Sequence, residues 1–496
     1  MTNITEGHPD FKSFERIIFE IMCRIACDLM RVYLEWRDLG IMALRDTKEY
    51  RYVERRQTTV KTMMGEVTFR RVYYKKKSGG YAFLLDEAMG IGGGCGLVSE
   101  NLAEQIVTEC TEKSFRKASE SISSLTGQSI SRMGVWNVFQ KYGVAIGEQV
   151  ARLSELDAGG STGHLGNVAS RVVFEEFDDV WISRQREARR ERGGSATEAP
   201  GGQGKEPAKK LGKRPMHVGI AYTGWEQAKD GRYSTADKIA YASFGPASGF
   251  ASTFEALLRQ HFDMDGVERR VTNGDGEAWI RTAAEESDTI LQLDPYHRAQ
   301  AVVRAVSDKG DRKLLFGAIG EKDVAKALDI IAGLASRAQD EKAREKLEAL
   351  HGYFSSNSDI LLTWQERGIE LPIPPDGVTY RSLGAQESNN CSLVTQRMKH
   401  RRCSWSEKGG DNMAMMLCFR GTVGLDAVLG ALPEAPPAEP WAEPLSAAKA
   451  PQRDGRGEGA DWLRAEMPFE QAFRTHGREM IRDMLRMKPL SQLAYR

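Results

Sequence analysis

The chain has 496 residues, 41% of them hydrophobic, enough to bury two or more cores when single domains run about 100–200 residues. Lys+Arg and Asp+Glu both number 69, so the overall balance neither favours nor excludes a polyanionic partner and only local clusters are informative. Seven cysteines contain no C-x-x-C pair, and Cys23 and Cys27, a helical turn apart, lack the further ligands zinc needs, so they read as core thiols. The N-terminal MTNITEGHPDFKSFER lacks a signal-peptide pattern and no apolar run approaches the roughly 20 residues of a membrane helix, which leads us to expect a cytoplasmic protein with no membrane partner.

Residues 1–48 read as an N-terminal helical segment. Phe14, Ile18, Ile21, Ile25, Leu29, Val32 and Trp36 recur every three to four positions and make one stripe, the mark of a packing or dimer helix. Residues 49–96 read as a β-hairpin and loop: Tyr50–Lys77 is rich in β-branched and aromatic residues around a turn at Met64-Gly65-Glu66. Its cations Arg55, Arg56, Lys61, Arg70, Arg71, Lys75, Lys76 and Lys77 would lie along a phosphate backbone or keep an edge ribbon in solution.

Residues 97–150 turn helical in three segments. Gly127 closes the second, and Ser129 or Ser131 can cap the third, giving helix-turn-helix punctuation that any three-helix bundle also carries. In the helix-turn-helix reading the third segment faces DNA with Ser131, Arg132, Asn137 and Lys141.

Residues 168–297 alternate strand-like runs with one helix, interrupted by a Gly/Pro/Ala-rich basic loop over 184–214. Strands are expected at 216–222, 238–244, 267–275 and 289–294, and a helix at 250–262. Residues 298–375 are highly charged and helical, separating two acidic segments by more than a minimal core allows, so they read as a helical insertion. The core resumes over 376–427. A Pro/Ala-rich linker over 428–460 and a terminal helix over 461–496 follow.

Three acids carry the chemistry: Asp178 in RVVFEEFDDVWIS, Asp275 in VTNGDGEAWI and Glu387 in LGAQESNNCS. The first two end strand-like runs and the third opens a helix-like one. Each alone reads more readily as a surface or capping residue; together they are hard ligands of the kind that hold divalent ions for phosphodiester transfer. Asp178 and Asp179 point to opposite faces of a strand, and Glu176 shares the face of Asp178, which favours Asp178. Asp275 lies between Gly274 and Gly276, which let the backbone turn sharply. In L-D-P-Y-H, either His297 contacts the scissile phosphate or assists proton transfer, or Asp294 caps a helix and His297 packs beneath it. Arg397, Lys399, His400, Arg401 and Arg402 follow Glu387 closely and would neutralise phosphates. Trp405 reads more readily as core than as a base-stacking residue.

The E-x-D strand with V-W-I, the G-D-G-x-x-W-I segment, L-D-x-x-H, and the A-x-E-S-N-N to R-M-K-x-R-x-x-S-W-S run resemble the ISLre-type insertion-sequence transposases. The upstream G-E-V-T-F-R-R-V-Y-Y and Y-A-F-L-L-D-E-A-M-G-I segments do too, so the resemblance covers most of residues 45–425. That family is similar to the Mutator-like DDE transposases. It implies an α/β fold: a ribonuclease H-like catalytic core with a helical insertion, preceded by the helical, β-hairpin and helix-turn-helix region. It further implies a metal triad of Asp178, Asp275 and Glu387 with Mg2+, or Mn2+ as a substitute. The expected partners are double-stranded DNA, as terminal inverted repeats and as target, and further copies of the chain as a homodimer or higher oligomer, placing the protein at the nucleoid. Phe177 and Asp179 flank the first acid where smaller residues are expected, and the basic loop is longer than usual. Two rival readings remain, a ribonuclease H-like nuclease or resolvase and a non-catalytic DNA-binding descendant. A P-loop enzyme is disfavoured, because no G-x-x-x-x-G-K-[ST] occurs and MGIGGGCGL lacks its lysine.

Overall fold

The computed structural model describes residues 10–92, 97–159, 166–185, 211–400 and 403–422. Most of the basic loop, the 428–460 linker, the 461–496 helix, and Arg401 and Arg402 fall outside them. The described residues divide into two compact units, 10–109 with 115–138, and 110–114 with 139–422.

In the first unit, helix α1 (Phe11–Leu44) is capped by Asp10, whose side chain accepts from the Ser13 amide at 2.9 Å. Strands β1 (Tyr50–Thr62) and β2 (Gly65–Lys76) form the expected antiparallel hairpin, extended by β3 (Tyr81–Ala82) and followed by α2 (Leu84–Met89). The turn is Met63–Met64, one residue earlier than the sequence suggests, because Gly65 adopts φ +137° and already pairs with Thr62. Cys27, Met30, Leu34 and Ile41 of α1 pack on Val60, Val67, Phe69 and Leu85. The stripe through Ile18, Ile25, Leu29, Val32 and Trp36 is on the other side and is exposed. Arg71 leaves the row of candidate phosphate-facing cations: it is buried, paired with Asp86 at 2.8 Å and stacked on Phe83.

Helices α3 (Glu100–Glu112), α4 (Phe115–Leu125) and α5 (Arg132–Ala158) follow. Ser131 caps α5 by accepting from the Gly134 amide at 3.1 Å, and α5 runs 27 residues, well past the expected end near Tyr142. Gly127 donates its amide to the Met63 carbonyl, and a Cβ there would lie 2.1 Å from the Met64 oxygen, so the turn before α5 sits against the hairpin turn.

The second unit is built on a five-stranded mixed sheet. Strand β4 (Val172–Arg184) is central, antiparallel to β5 (Leu211–Tyr222), itself antiparallel to β8 (Ile239–Ser243). Two short strands, β6 (Gly224–Gln227) and β7 (Tyr233–Ala236), form a separate small sheet between β5 and β8 in sequence. Helix α6 (Ala247–His261) leads to β9 (Arg269–Gly274), which pairs parallel with β4. After α7 (Ala278–Glu286), strand β10 (Ile290–Leu293) pairs parallel with β9. The spatial order is β10-β9-β4-β5-β8. One face is filled by Phe177, Phe250, Phe254, Leu258 and Ile280. Phe177 fits because Gly219 stands opposite it on β5, where a Cβ would lie 2.8 Å from the ring.

Four helices follow β10, α8 (Pro295–Ala305), α9 (Lys309–Gly320), α10 (Val324–Arg337) and α11 (Glu341–Ser356), packed around Leu315, Ile331, Leu347 and Phe354. Asp308, Asp323 and Asp340 cap the last three of these. The chain returns through β11 (Val378–Thr379), which pairs with β6, to α12 (Gln386–Asn389), a π-helical turn (Asn390–Thr395) and α13 (Gln396–Met398). Finally α14 (Glu407–Arg420) buries Met413, Met416 and Leu417.

Candidate metal centre

The site forms at one edge of this sheet because β4 and β9 are adjacent and parallel, so Asp178 and the residue following β9 are brought side by side. Asp275 sits immediately after β9. The turn there needs glycine: Gly276 has φ +91°, and a Cβ would lie 2.6 Å from the Asn357 side-chain oxygen. The Asp275 carboxylate accepts from the Glu277 amide at 3.0 Å, and its carbonyl accepts from the Tyr353 hydroxyl at 2.7 Å, which ties the turn to α11. His297 enters from the first turn of α8. Asp294 caps that helix through the amides of Tyr296 and His297, while the His297 ring lies 4.0 Å from the Asp178 carboxylate. The capping role and the place at the site therefore coexist. One ligand atom each from Asp178, Asp275 and His297 lies within 4.8 Å of the others.

Glu387 is not in that group of three. It is exposed in the first turn of α12, near enough for its charge to bear on Asp178. Its helix is fixed by Glu176, a fully buried carboxylate two residues before Asp178. Glu176 accepts from the amides of Gly384, Ala385 and Gln386 at 3.0, 3.0 and 3.3 Å, from the Tyr222 hydroxyl at 2.5 Å and from Asn273 at 3.0 Å. Gln386 donates to the Val218 carbonyl, and Asn390 donates to Asp178 at 2.6 Å. Ala385, Gln386 and Asn390, together with Asn389, which accepts from Lys238 at 2.8 Å, thus dock the helix, and Glu387 is left exposed.

Burial pushes the Asp178 carboxyl up to about 6, with the charges of Asp275 and Glu387 adding to the effect and His297 opposing it. Burial also raises Asp275, helped by the charge of Asp179. Carboxylates that repel one another in a half-buried site favour a bound cation, and two carboxylates with an imidazole are a donor set that a divalent ion accepts. Asp179 faces the other way and is held by His217 at 2.7 Å, beneath Trp279.

Among the candidate DNA contacts, Arg132 and Asn137 are exposed on α5 and Lys141 is half-buried; Lys399 is exposed. Arg397 is a correction. It is buried, its Nε donates to the Cys110 carbonyl at 2.9 Å, and its guanidinium lies over Trp405, so it holds the core together and is not on the surface. Trp405 is likewise core, its indole donating to the Met398 carbonyl. Sequence reasoning used Glu176 only to choose between Asp178 and Asp179 and missed its anchoring role. The Asp179–His217 pair and the Asn390 contact were also missed. Asn390 left a signal, standing three residues after Glu387 on one helical face; His217 left none, since the long basic loop hides the strand register.

The family model described as "Uncharacterised protein family (UPF0236)" matches residues 5–194 and 208–428. A UPF0236 protein from the vanSb 3' region of Streptococcus gallolyticus is 24% identical over 436 residues, covering 84% of this chain and 86% of that protein. A second, from Caldanaerobacter subterraneus subsp. tengcongensis, is 23% identical over 409 residues, covering 81% and 76%; its name joins eleven locus labels. Among solved structures, the Drosophila P element transposase strand transfer complex aligns over 67% of this chain and 80% of its own at 8% identity and a TM-score of 0.22. The Mos1 strand transfer complex aligns over 53% and 78% at 12% identity and a TM-score of 0.13. Scores this low do not establish a shared fold. Among the described residues no helix is long and apolar enough to cross a membrane.

Proposed function

This chain belongs to the uncharacterised protein family UPF0236, and we propose that it is a DNA transposase with a ribonuclease H-like core that cuts and joins phosphodiesters at the ends of its own element. The observation that carries the reading is the convergence of Asp178, Asp275 and His297 at the edge of a sheet ordered β10-β9-β4-β5-β8, with the Glu387 helix anchored beside them. That strand order, with the antiparallel strands β4, β5 and β8 beside the parallel β9 and β10, is the arrangement expected of a ribonuclease H-like core. The relative whose name joins eleven locus labels fits a product encoded many times in one genome, as a self-copying element leaves it. This favours a transposase over a resolvase, which needs no copies.

Asp178 and Asp275 are the ligands of a divalent cation, magnesium or manganese, with Glu387 or His297 completing the set. When bound, the cation supplies the charge that activates the attacking oxygen and stabilises the leaving one. Asn390 fixes the orientation of Asp178 through its 2.6 Å hydrogen bond. His297, if it is not itself a ligand, is placed to take the proton of the attacking water. Hydrolysis frees a 3′-hydroxyl, and that hydroxyl then attacks a target phosphodiester, so one phosphoester bond forms as one breaks and no covalent protein intermediate arises. Arg132, Asn137 and Lys141 on α5 are the proposed end-recognition contacts, and Lys399, with Arg401 and Arg402, the contacts beside the cut.

The test is cleavage of labelled DNA carrying the flanking inverted repeats, with Asp275→Asn as the comparison. Magnesium-dependent nicking at the repeat boundary, lost in the variant with end binding retained, is expected. Equal cleavage by the variant would remove the metal-site reading.

A further inference from the structure

The outer face of α1 is the largest feature that the catalytic reading leaves unused. Phe11, Ile18, Ile25, Val32 and Leu39 recur every seven residues, and Met22, Leu29 and Trp36 form a second seven-residue series interleaved with the first. These eight side chains are 39% to 79% exposed. A helix packed on one globular unit needs a single apolar stripe with a 3.6-residue period, and α1 already has one in Cys27, Met30, Leu34 and Ile41. The second stripe repeats at 3.5 residues, the period that keeps a seam facing another helix through a left-handed supercoil.

The seam runs from Phe11 to Leu39, about 42 Å at a rise of about 1.5 Å per residue. With large apolar side chains carrying on the order of 150–250 Å² each, it leaves roughly 1,000 Å² of apolar surface in water. The largest apolar patch of a soluble monomer is about 300–600 Å², whereas a stable interface takes about 800 Å² from each partner. Glu15, exposed one heptad before Met22, is a single acid at the start of the seam, and the acids further along it, Asp28 and Glu35, are both met by Arg31 of the same helix, at 3.3 and 3.9 Å. No row of uncompensated charge along the seam therefore asks for a partner of opposite sign, and an identical helix satisfies it.

We propose that α1 pairs with α1 of a second copy of this chain as a two-stranded coiled coil. The pairing is independent of whether the metal centre acts as proposed above. The experiment is light scattering of the full-length protein at micromolar concentration, for the wild type and for the double variant Ile25→Glu, Leu29→Glu. A wild-type mass of twice 55.2 kDa is expected, falling to a single chain in the variant with its helical circular dichroism unchanged. A wild type of one-chain mass, whether because the chain's own C-terminal segment or another protein covers the seam, overturns the proposal. So does a two-chain mass that survives in the double variant, or a wild-type assembly larger than two. If the double variant misfolds, Trp36→Ala decides: at least tenfold weaker self-association is expected, and unchanged self-association overturns the pairing.

Discussion

Replacing Glu176 by Gln separates the anchoring of the Glu387 helix from the chemistry. The carboxylate is fully buried and accepts five hydrogen bonds, two on one oxygen from Tyr222 and Ala385, and three on the other from Asn273, Gly384 and Gln386. A glutamine offers one oxygen and one NH2. If the oxygen serves the three donors, the NH2 confronts the Ala385 amide, donor against donor, while the Tyr222 hydroxyl can turn to accept. Hydrogen bonds to a charged acceptor contribute about 1.5–3 kcal/mol each. Burial already pushes the Glu176 carboxyl above its usual range, which keeps the loss toward the lower end, at about 2–4 kcal/mol for one bond broken and the rest weakened. In a unit of this size that is a fall of about 4–16 °C in Tm, read by circular dichroism in metal-free buffer, together with loss of cleavage because the Glu387 helix is released. The control is Glu387→Gln: an exposed side chain with no hydrogen bond among the described residues should melt within about 1 °C of wild type, yet fail to cleave. A Glu176→Gln protein that melts and cleaves like wild type would refute the anchoring argument.

Asp178→Asn should abolish cleavage and weaken manganese binding by calorimetry at least tenfold, whereas Asp179→Asn, which breaks the His217 pair and removes one negative charge felt by Asp275, should weaken binding far less; the reverse order would move the first ligand by one residue. In the first unit, burial raises the Asp86 carboxyl to about 7 despite its Arg71 partner. Its folded value lies above its unfolded one, so the folded state binds the extra proton. The contribution is complete below pH about 4 and is lost as pH rises through about 7. Melting of that unit followed from pH 4 to 8 should therefore fall across this window in the wild type, and the fall should flatten in Asp86→Asn; identical slopes would show that another group controls it. Arg132→Ala on α5 and Lys399→Ala should each lower the salt dependence of DNA binding by nearly one counterion per lost phosphate contact, and titrations at several salt concentrations with an unchanged slope would assign these cations to plain solvated surface.

The order of elements in the second unit was legible from sequence because its periodicities are local. The strand patterns at 216–222 and 267–275, the amphipathic helix at 250–262 and the charged helices after 298 each reappear within a few residues. N-G-D-G likewise announced a sharp turn that only glycine allows at Gly276. What the sequence could not supply is which face and which neighbour each side chain meets. The cations Arg71 and Arg397 look alike to solvated ones in a string of letters, yet the fold buries both, Arg71 against Asp86 of the following helix and Arg397 against Cys110, 287 positions away. The stripe on α1 was visible, but whether it turned inward depended on the hairpin filling the opposite face first. The pairing of β4 with β9 brings Asp178 beside Asp275 across nearly a hundred residues, and the same sheet gives Glu176 its helix to hold. Local periodicity is written residue by residue, but long-range register, burial and charge compensation are properties of the packed chain, and only the tertiary structure decided them.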